Sequence, residues 1–208
     1  MPDQLLPQPP PDAPAPPAGE HALRSRRKMG WMLGLGIVCA ILLLLIIAVV
    51  TNRAKSGFKE SESNIRELGT ALHEFDSAYG RFPDASTYTL ALESTDSRLT
   101  NDGTSSSNEL FKQLFIAEIA QSETMFYANA KSTRRPDNYF VRDVTVLEHG
   151  ECAFAYISGL SSKDAGDTPL IFGPVIPGTH HFDPSSNKGK VIVMTIDNSE
   201  KIYPINSS

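Results

Sequence analysis

The pattern of apolar and polar positions divides the chain into four stretches of different period. From Met29 to Val50 every residue is apolar or small and none is charged. At 1.5 Å rise per residue, 22 positions span ~33 Å, about the thickness of a bilayer hydrocarbon core. In hydrocarbon each backbone N–H and C=O must be satisfied within the segment, so the run is expected to be one transmembrane helix. Beyond it, apolar residues fall at Phe58, Ile65, Leu68, Leu72, Phe75 and Tyr79. Spacings of three, four and seven put these six on one face of an amphipathic helix. No proline intervenes between Met29 and Phe82, so the two stretches are read as one helix from Gly30 to Tyr79, with Gly57 its weakest position. Gly80 suits a left-handed C-cap, and Pro83 cannot continue a helix.

Asp84 to Ser107 is rich in Ser, Thr, Asp and Asn and reads as loop. Ser106-x-x-Glu109 then forms a capping box for a second helix carrying Leu110, Phe111, Leu114, Phe115 and Ile119, expected to end near Ser122 or to run into Phe126-Tyr127. In the last third the period becomes two. Strands are predicted at Glu151–Ile157, Leu170–Phe172, Lys190–Ile196 and Lys201–Ile205, the last pair joined by Asp197-Asn198-Ser199 as a hairpin. The segment from Pro174 to Lys188 is expected to be a surface loop. The fold class is therefore α+β: a long N-terminal helix, transmembrane then amphipathic, packed on a small antiparallel sheet. Three regions follow: 1–28, 29–50 and 51–208.

Composition sharpens the first region. Eight of the fifteen prolines lie between Pro2 and Pro17, which predicts a disordered tail with polyproline character. Pro7-Gln8-Pro9-Pro10 satisfies a loose P-x-x-P pattern that so much proline makes uninformative. Arg24, Arg26, Arg27 and Lys28 then crowd the near side of the apolar run, whereas Arg53, Lys55 and Lys59 are spread beyond it. The bias places the N-terminus in the cytoplasm and residues 51–208 outside, with the run as an uncleaved signal-anchor.

Charge excludes one class of partner. Four of the 19 Lys/Arg and three of the 24 Asp/Glu lie in residues 1–28, leaving 15 basic and 21 acidic residues, a net of −6. An acidic external domain without a basic stripe argues against nucleic acid. Cys39 lies in the apolar run and Cys152 outside it, so no intrachain disulfide is expected, and Cys152 is read as a buried small hydrophobe.

Candidate chemistry is sparse. Ser56-x-x-Lys59 and Ser185-x-x-Lys188 match a Ser/Lys nucleophile spacing, but neither brings partner motifs. His180, His181 and Asp183, with His149, are candidate metal ligands, and Asp164, Asp167, Asp183 and Asp197 are candidate calcium oxygens. Neither set has the spacing of a known loop, and no metal or cofactor is expected. Gly30-x-x-x-Gly34 and Gly36-x-x-x-Ala40 put small residues on one side of the membrane helix, which permits close helix–helix approach.

Three short stretches carry a resemblance. Asn64-Ile65-Arg66-Glu67-Leu68-Gly69-Thr70-Ala71-Leu72-His73, the closing Tyr79-Gly80-Arg81-Phe82-Pro83, and Gly189-Lys190-Val191-Ile192-Val193 before Asp197 are similar to parts of type IV pilins and type II secretion pseudopilins, the major pseudopilin above all. Arg26-Arg27-Lys28-Met29-Gly30-Trp31 resembles the end of a prepilin leader, which makes Gly30–Trp31 the processing site the resemblance implies. The fifth mature position would then be Leu35, where the family carries Glu. The resemblance implies a non-enzymatic structural or assembly protein of a type II secretion-like system, in a bacterial inner membrane with a periplasmic domain. Its partners would be the bilayer and further pilin-like subunits, its own copies included. The alternative is a membrane-tethered binding module that uses loops 84–107 and 174–188.

Overall fold

The computed structural model describes residues 20–100, 103, 105–140 and 145–206; within the first helix it describes side chains at Cys39, at 41–51 and from Ser56 onward. The expected disordered tail thus lies, up to Gly19, outside the described residues. The chain divides into two compact units, Met1–Val50 and Thr51–Ser208.

Helix α1 runs from Glu20 to Tyr79 without a break, 60 residues. It begins earlier than the expected Gly30, inside the stretch assigned to the tail. The reason is local: Pro17 is the last proline before Pro83, and Glu20 to Lys28 is made largely of good helix formers. In the first unit, each large apolar side chain from Ile41 to Val50 is between 51 % and 66 % exposed. Among the described residues, one helix is long and apolar enough to cross a membrane.

In the second unit α1 becomes the centre of the core. Ile65, Leu68, Leu72 and Phe75 are wholly buried, while Phe58 and Tyr79 pack against the cluster half-buried. Burying each of the four is worth roughly 1.5–3 kcal/mol. The helix stops at Gly80, whose φ of 80° is left-handed and whose N–H donates to Asp76 O at 2.7 Å.

Four antiparallel strands follow in the order of the chain: β1 (Ala155–Tyr156), β2 (Pro169–Gly173), β3 (Lys190–Thr195) and β4 (Glu200–Pro204). The β3–β4 hairpin pairs Lys190 with Pro204 and Met194 with Glu200, and Asn198 in its turn has a φ of 60°. Leu170, Ile171, Ile192, Met194 and Ile196 join the α1 stripe in one core. The architecture is α+β, with a long N-terminal helix and a small antiparallel sheet.

Three elements depart from the sequence reading. Helix α2 (Tyr88–Glu93) stands inside the expected loop 84–107, held by buried Ala91 and by a polar knot at its start. There Asp84 Oδ1 accepts from the N–H groups of Ser86 and Thr87, and Thr87 Oγ1 donates to Gln113 Oε1 at 2.7 Å. Helix α3 (Ser107–Ile116) carries the expected capping box but ends before Ser122. Its end is a Schellman motif: Glu118 N–H reaches Phe115 O and Ile119 N–H reaches Leu114 O, with Glu118 at a φ of 59°. Glycine is usual at that position, and Glu gives no sequence sign of a stop. Ser122 then caps a separate 3-10 turn at Glu123–Phe126. Strand β1 is also far shorter than 151–157. Cys152, Ala153 and Phe154 are buried outside the sheet, where Ala153 N–H bonds Phe126 O.

Candidate functional site

The membrane-segment residues divide by what is described. Met29, Gly30, Trp31 and Gly34 lie on α1, but their side chains are outside the described residues; Cys39 is exposed and Val50 is 60 % exposed. Ten consecutive exposed positions without a charge, Ile41 to Val50, form a continuous apolar surface. A contiguous patch of this kind marks a membrane or protein contact.

The Ser/Lys pairs do not form a nucleophile. Ser185 Oγ donates to Asp183 Oδ1 at 2.5 Å, and Ser185 N–H donates to the same oxygen at 2.8 Å, a local turn cap. Ser56 and Lys59 are both exposed. Asp164, Asp183 and Asp197 each accept hydrogen bonds from their own turns. Asp164 Oδ2 accepts from Ser161 N–H, Asp197 Oδ1 from Thr195 Oγ1 and Ser199 N–H, and Asp183 also from Ser132 Oγ at 2.7 Å. Burial raises the Asp183 pKa, but the hydrogen bonds from Ser185 and Ser132 outweigh it and hold the carboxyl below its usual value. Hydrogen bonds from Thr195 and Ser199 do the same at Asp197. His180 and His181 are exposed, and among the described residues no three His, Cys, Asp or Glu converge as metal ligands.

Sequence reasoning missed a cleft of about 530 Å³ in the second unit. Thr70 and His73 of α1 form one wall, Ser162, Asp164 and Gly166 of the β1–β2 connection another, and Ile196, Asp197 and Asn198 of the hairpin turn the third. Its lining includes no residue of loops 84–107 or 174–188, the loops expected to bind. The helix admits the turn closely because Gly69 has no side chain: a Cβ there would lie 2.5 Å from Asn198 Oδ1. His73 stacks edge-on against Phe82 at 5.3 Å, and its Nε2 has no hydrogen-bond partner among the described residues. Ser162 is tied to Asp76 by its hydroxyl, 2.5 Å, and its N–H, 3.1 Å. Asp164 and Asp197 add carboxyl groups to the same lining as His73 and Ser162.

Loop 174–188 is anchored more firmly than a surface loop. An isolated bridge joins Val175 to Phe182, and Asp183, Ser186 and Asn187 are buried. Asn187, Lys188 and Gly189 have successive φ values of 49°, 57° and 70°. Left-handed backbone at a lysine costs roughly 1–2 kcal/mol and holds that side chain out on a sharp turn.

One buried acidic pair completes the inventory. Glu123 and Glu151 have no exposed surface. Glu123 Oε1 accepts Leu147 N–H at 2.7 Å, and Arg134 reaches Glu151 at 2.9 Å and Glu148 at 2.5 Å. Burial raises the pKa of both buried carboxyls. The Cys152 thiol, pushed up to about 12 by burial, is inert.

Comparison with protein-family models, with curated proteins and with solved structures returned no match.

Proposed function

We propose that this chain is a single-pass membrane protein with a pilin-like external α+β domain, acting as a non-enzymatic structural or assembly component. The observation that carries the reading is α1. One uninterrupted helix bears an exposed apolar stretch, Ile41–Val50, and then supplies the buried stripe Ile65, Leu68, Leu72 and Phe75 to a core under an antiparallel sheet. Nine large apolar side chains left in water would cost on the order of 10 kcal/mol, which a bilayer removes. A pilin-like plan uses one helix in the same two ways. The Gly-Arg-Phe-Pro that closes α1 and the final hairpin add to the likeness. In this reading the N-terminus is cytoplasmic, the domain periplasmic, and assembly runs through helix packing along residues 30–79.

Intact mass of the chain purified from its host membranes tests the pathway. Loss of residues 1–30 at the Gly30–Trp31 bond supports pilin-type processing despite Leu35. A full-length mass with no copy-to-copy crosslinks along α1 overturns assembly. The second reading, a membrane-tethered binding module, is favoured by the cleft at His73, Asp164 and Asp197. Saturable binding of a small cationic ligand, abolished by D164N/D197N, would establish it.

A further inference from the structure

The turn at 145–147 is held from two sides. Leu147 N–H donates to Glu123 Oε1 at 2.7 Å, and Leu147 O accepts from Asn108 Nδ2 at 3.1 Å. Leu147 has a left-handed φ of 49°, unfavourable for a leucine, so the turn depends on those two bonds. Past the turn, Glu148 N–H donates to Glu151 Oε2 at 2.8 Å, and Arg134 N–H donates to Gly150 O at 2.7 Å. Buried Cys152 follows directly, and Ala153 N–H closes the segment on Phe126 O at 2.8 Å.

Glu123 supplies one of the two grips on Leu147, and its carboxyl is only half satisfied. The residue has no exposed surface, and its Oε2 has no hydrogen-bond partner among the described residues. The charges that act on it are the carboxylates of Glu151 and Asp137, and Glu148 stands beside Glu151. Arg134 is taken by Glu148 and Glu151, and among the described residues Glu123 joins no ion pair. Its own 3-10 turn, Glu123–Phe126, adds no cation. A buried carboxylate with one oxygen unpaired and no counter-charge is costly, and the neutral acid is much less so. Burial raises the Glu123 pKa, the bond from Leu147 offsets only part of the rise, and Glu151 and Asp137 add to it.

We infer that Glu123 is a proton-operated latch: with its proton it lies sealed against the 145–151 segment, and when it loses that proton the segment opens and uncovers Cys152. Opening lets water reach the carboxylate and returns it to ordinary acidity, so the closed state binds the proton more tightly than the open one. The proton's stabilisation of closure is complete below the ordinary value of 4.5 and is lost as pH rises through the raised one. The group uncovered is a thiol that burial holds in its protonated, unreactive form while the segment is closed. The latch is independent of the membrane reading, since all its residues belong to the unit Thr51–Ser208.

The full chain carrying Cys39→Ser, which leaves Cys152 as its one thiol, gives the test. Cys152 is labelled with a thiol reagent from about pH 4.5 to 7.5, and each rate is divided by that of the urea-unfolded chain at the same pH. This division removes the titration of the thiol itself. The expected normalised rate rises roughly threefold or more with pH and then levels off. Glu123→Gln, which cannot ionise, should keep a low and flat rate. Asp137→Asn, at an exposed position, should level off after a smaller rise, and it carries the test if the buried Gln variant does not fold. Amide exchange across Lys190–Thr195, corrected for its intrinsic pH dependence, should stay unchanged. A flat rate in the parent chain overturns the latch, as does an unaltered rise in either variant. Exchange at Lys190–Thr195 that climbs together with labelling also overturns it, because the whole domain would then be unfolding.

Discussion

The two halves of α1 differ both in the pattern of their residues and in what covers them. From Ile41 to Val50 the apolar side chains point in every direction, and all are exposed. From Phe58 to Tyr79 apolar side chains return at spacings of seven, three and four residues, and the four central ones have no exposed surface. A helix that is apolar all round needs an apolar solvent, whereas a striped helix needs only one partner face. The comparison teaches that the period of the pattern, more than its hydrophobicity, tells which half the chain covers by itself.

The largest way to break that comparison is to empty one half. Phe75→Ala should destabilise residues 51–208 by ~3–5 kcal/mol in a denaturant titration, because a wholly buried ring leaves a cavity. Leu44→Ala, in the exposed half, should leave the same transition unchanged. The converse substitution is Leu44→Arg. It should weaken membrane retention by ~2.5–3.5 kcal/mol if placed at the bilayer centre, read as the fraction resisting alkaline extraction, with the domain's unfolding unaltered. A smaller effect sharpens the local reading. Ser106→Ala removes the capping hydroxyl of α3 and should lower stability by about 1 kcal/mol.

The smallest effect concerns pH. Glu123 has its folded-state pKa raised by burial, with Glu151 and Asp137 adding repulsion, while Arg134 and Glu148 flank its neighbour Glu151. A raised carboxylate pKa means the folded state binds its proton first. Glu123 therefore opposes folding at neutral pH, and this opposition is relieved as pH falls through the raised value toward 4.5. Asp183, with its pKa lowered, acts oppositely: its stabilisation is present at neutral pH and is lost as pH falls below 3.8. Urea titrations of wild type and Glu123→Gln from neutral pH downward should converge near the ordinary carboxylate range. Curves that stay parallel would show that Glu123 does not titrate differently on folding.

Much of this architecture was legible in the sequence because it rests on local rules. The α1 stripe, the Gly80 stop, the Ser106–Glu109 box and the final hairpin each follow from spacing or turn chemistry within a few residues. What escaped depends on distant partners. Helix α2 is only six residues, set by Asp84, Thr87 and a glutamine of α3, so its Ser/Thr-rich surroundings read as loop. The end of α3 depends on Glu118 taking a backbone conformation that a glutamate rarely adopts. The cleft brings together α1, the β1–β2 connection and the hairpin turn, whose residues range from Thr70 to Asn198. Even the calcium candidates illustrate this, since Asp164 and Asp197 meet at that cleft while Asp183 is buried elsewhere with Ser132.

Alkaline carbonate extraction of the full chain from membranes tests the central claim most directly. The account predicts that the chain stays wholly in the pellet and that replacing Leu42, Leu45 and Ile46 together by Lys releases it. Release of the unaltered chain into the supernatant would contradict the claim, and Ile41–Val50 would then need a protein partner as its cover.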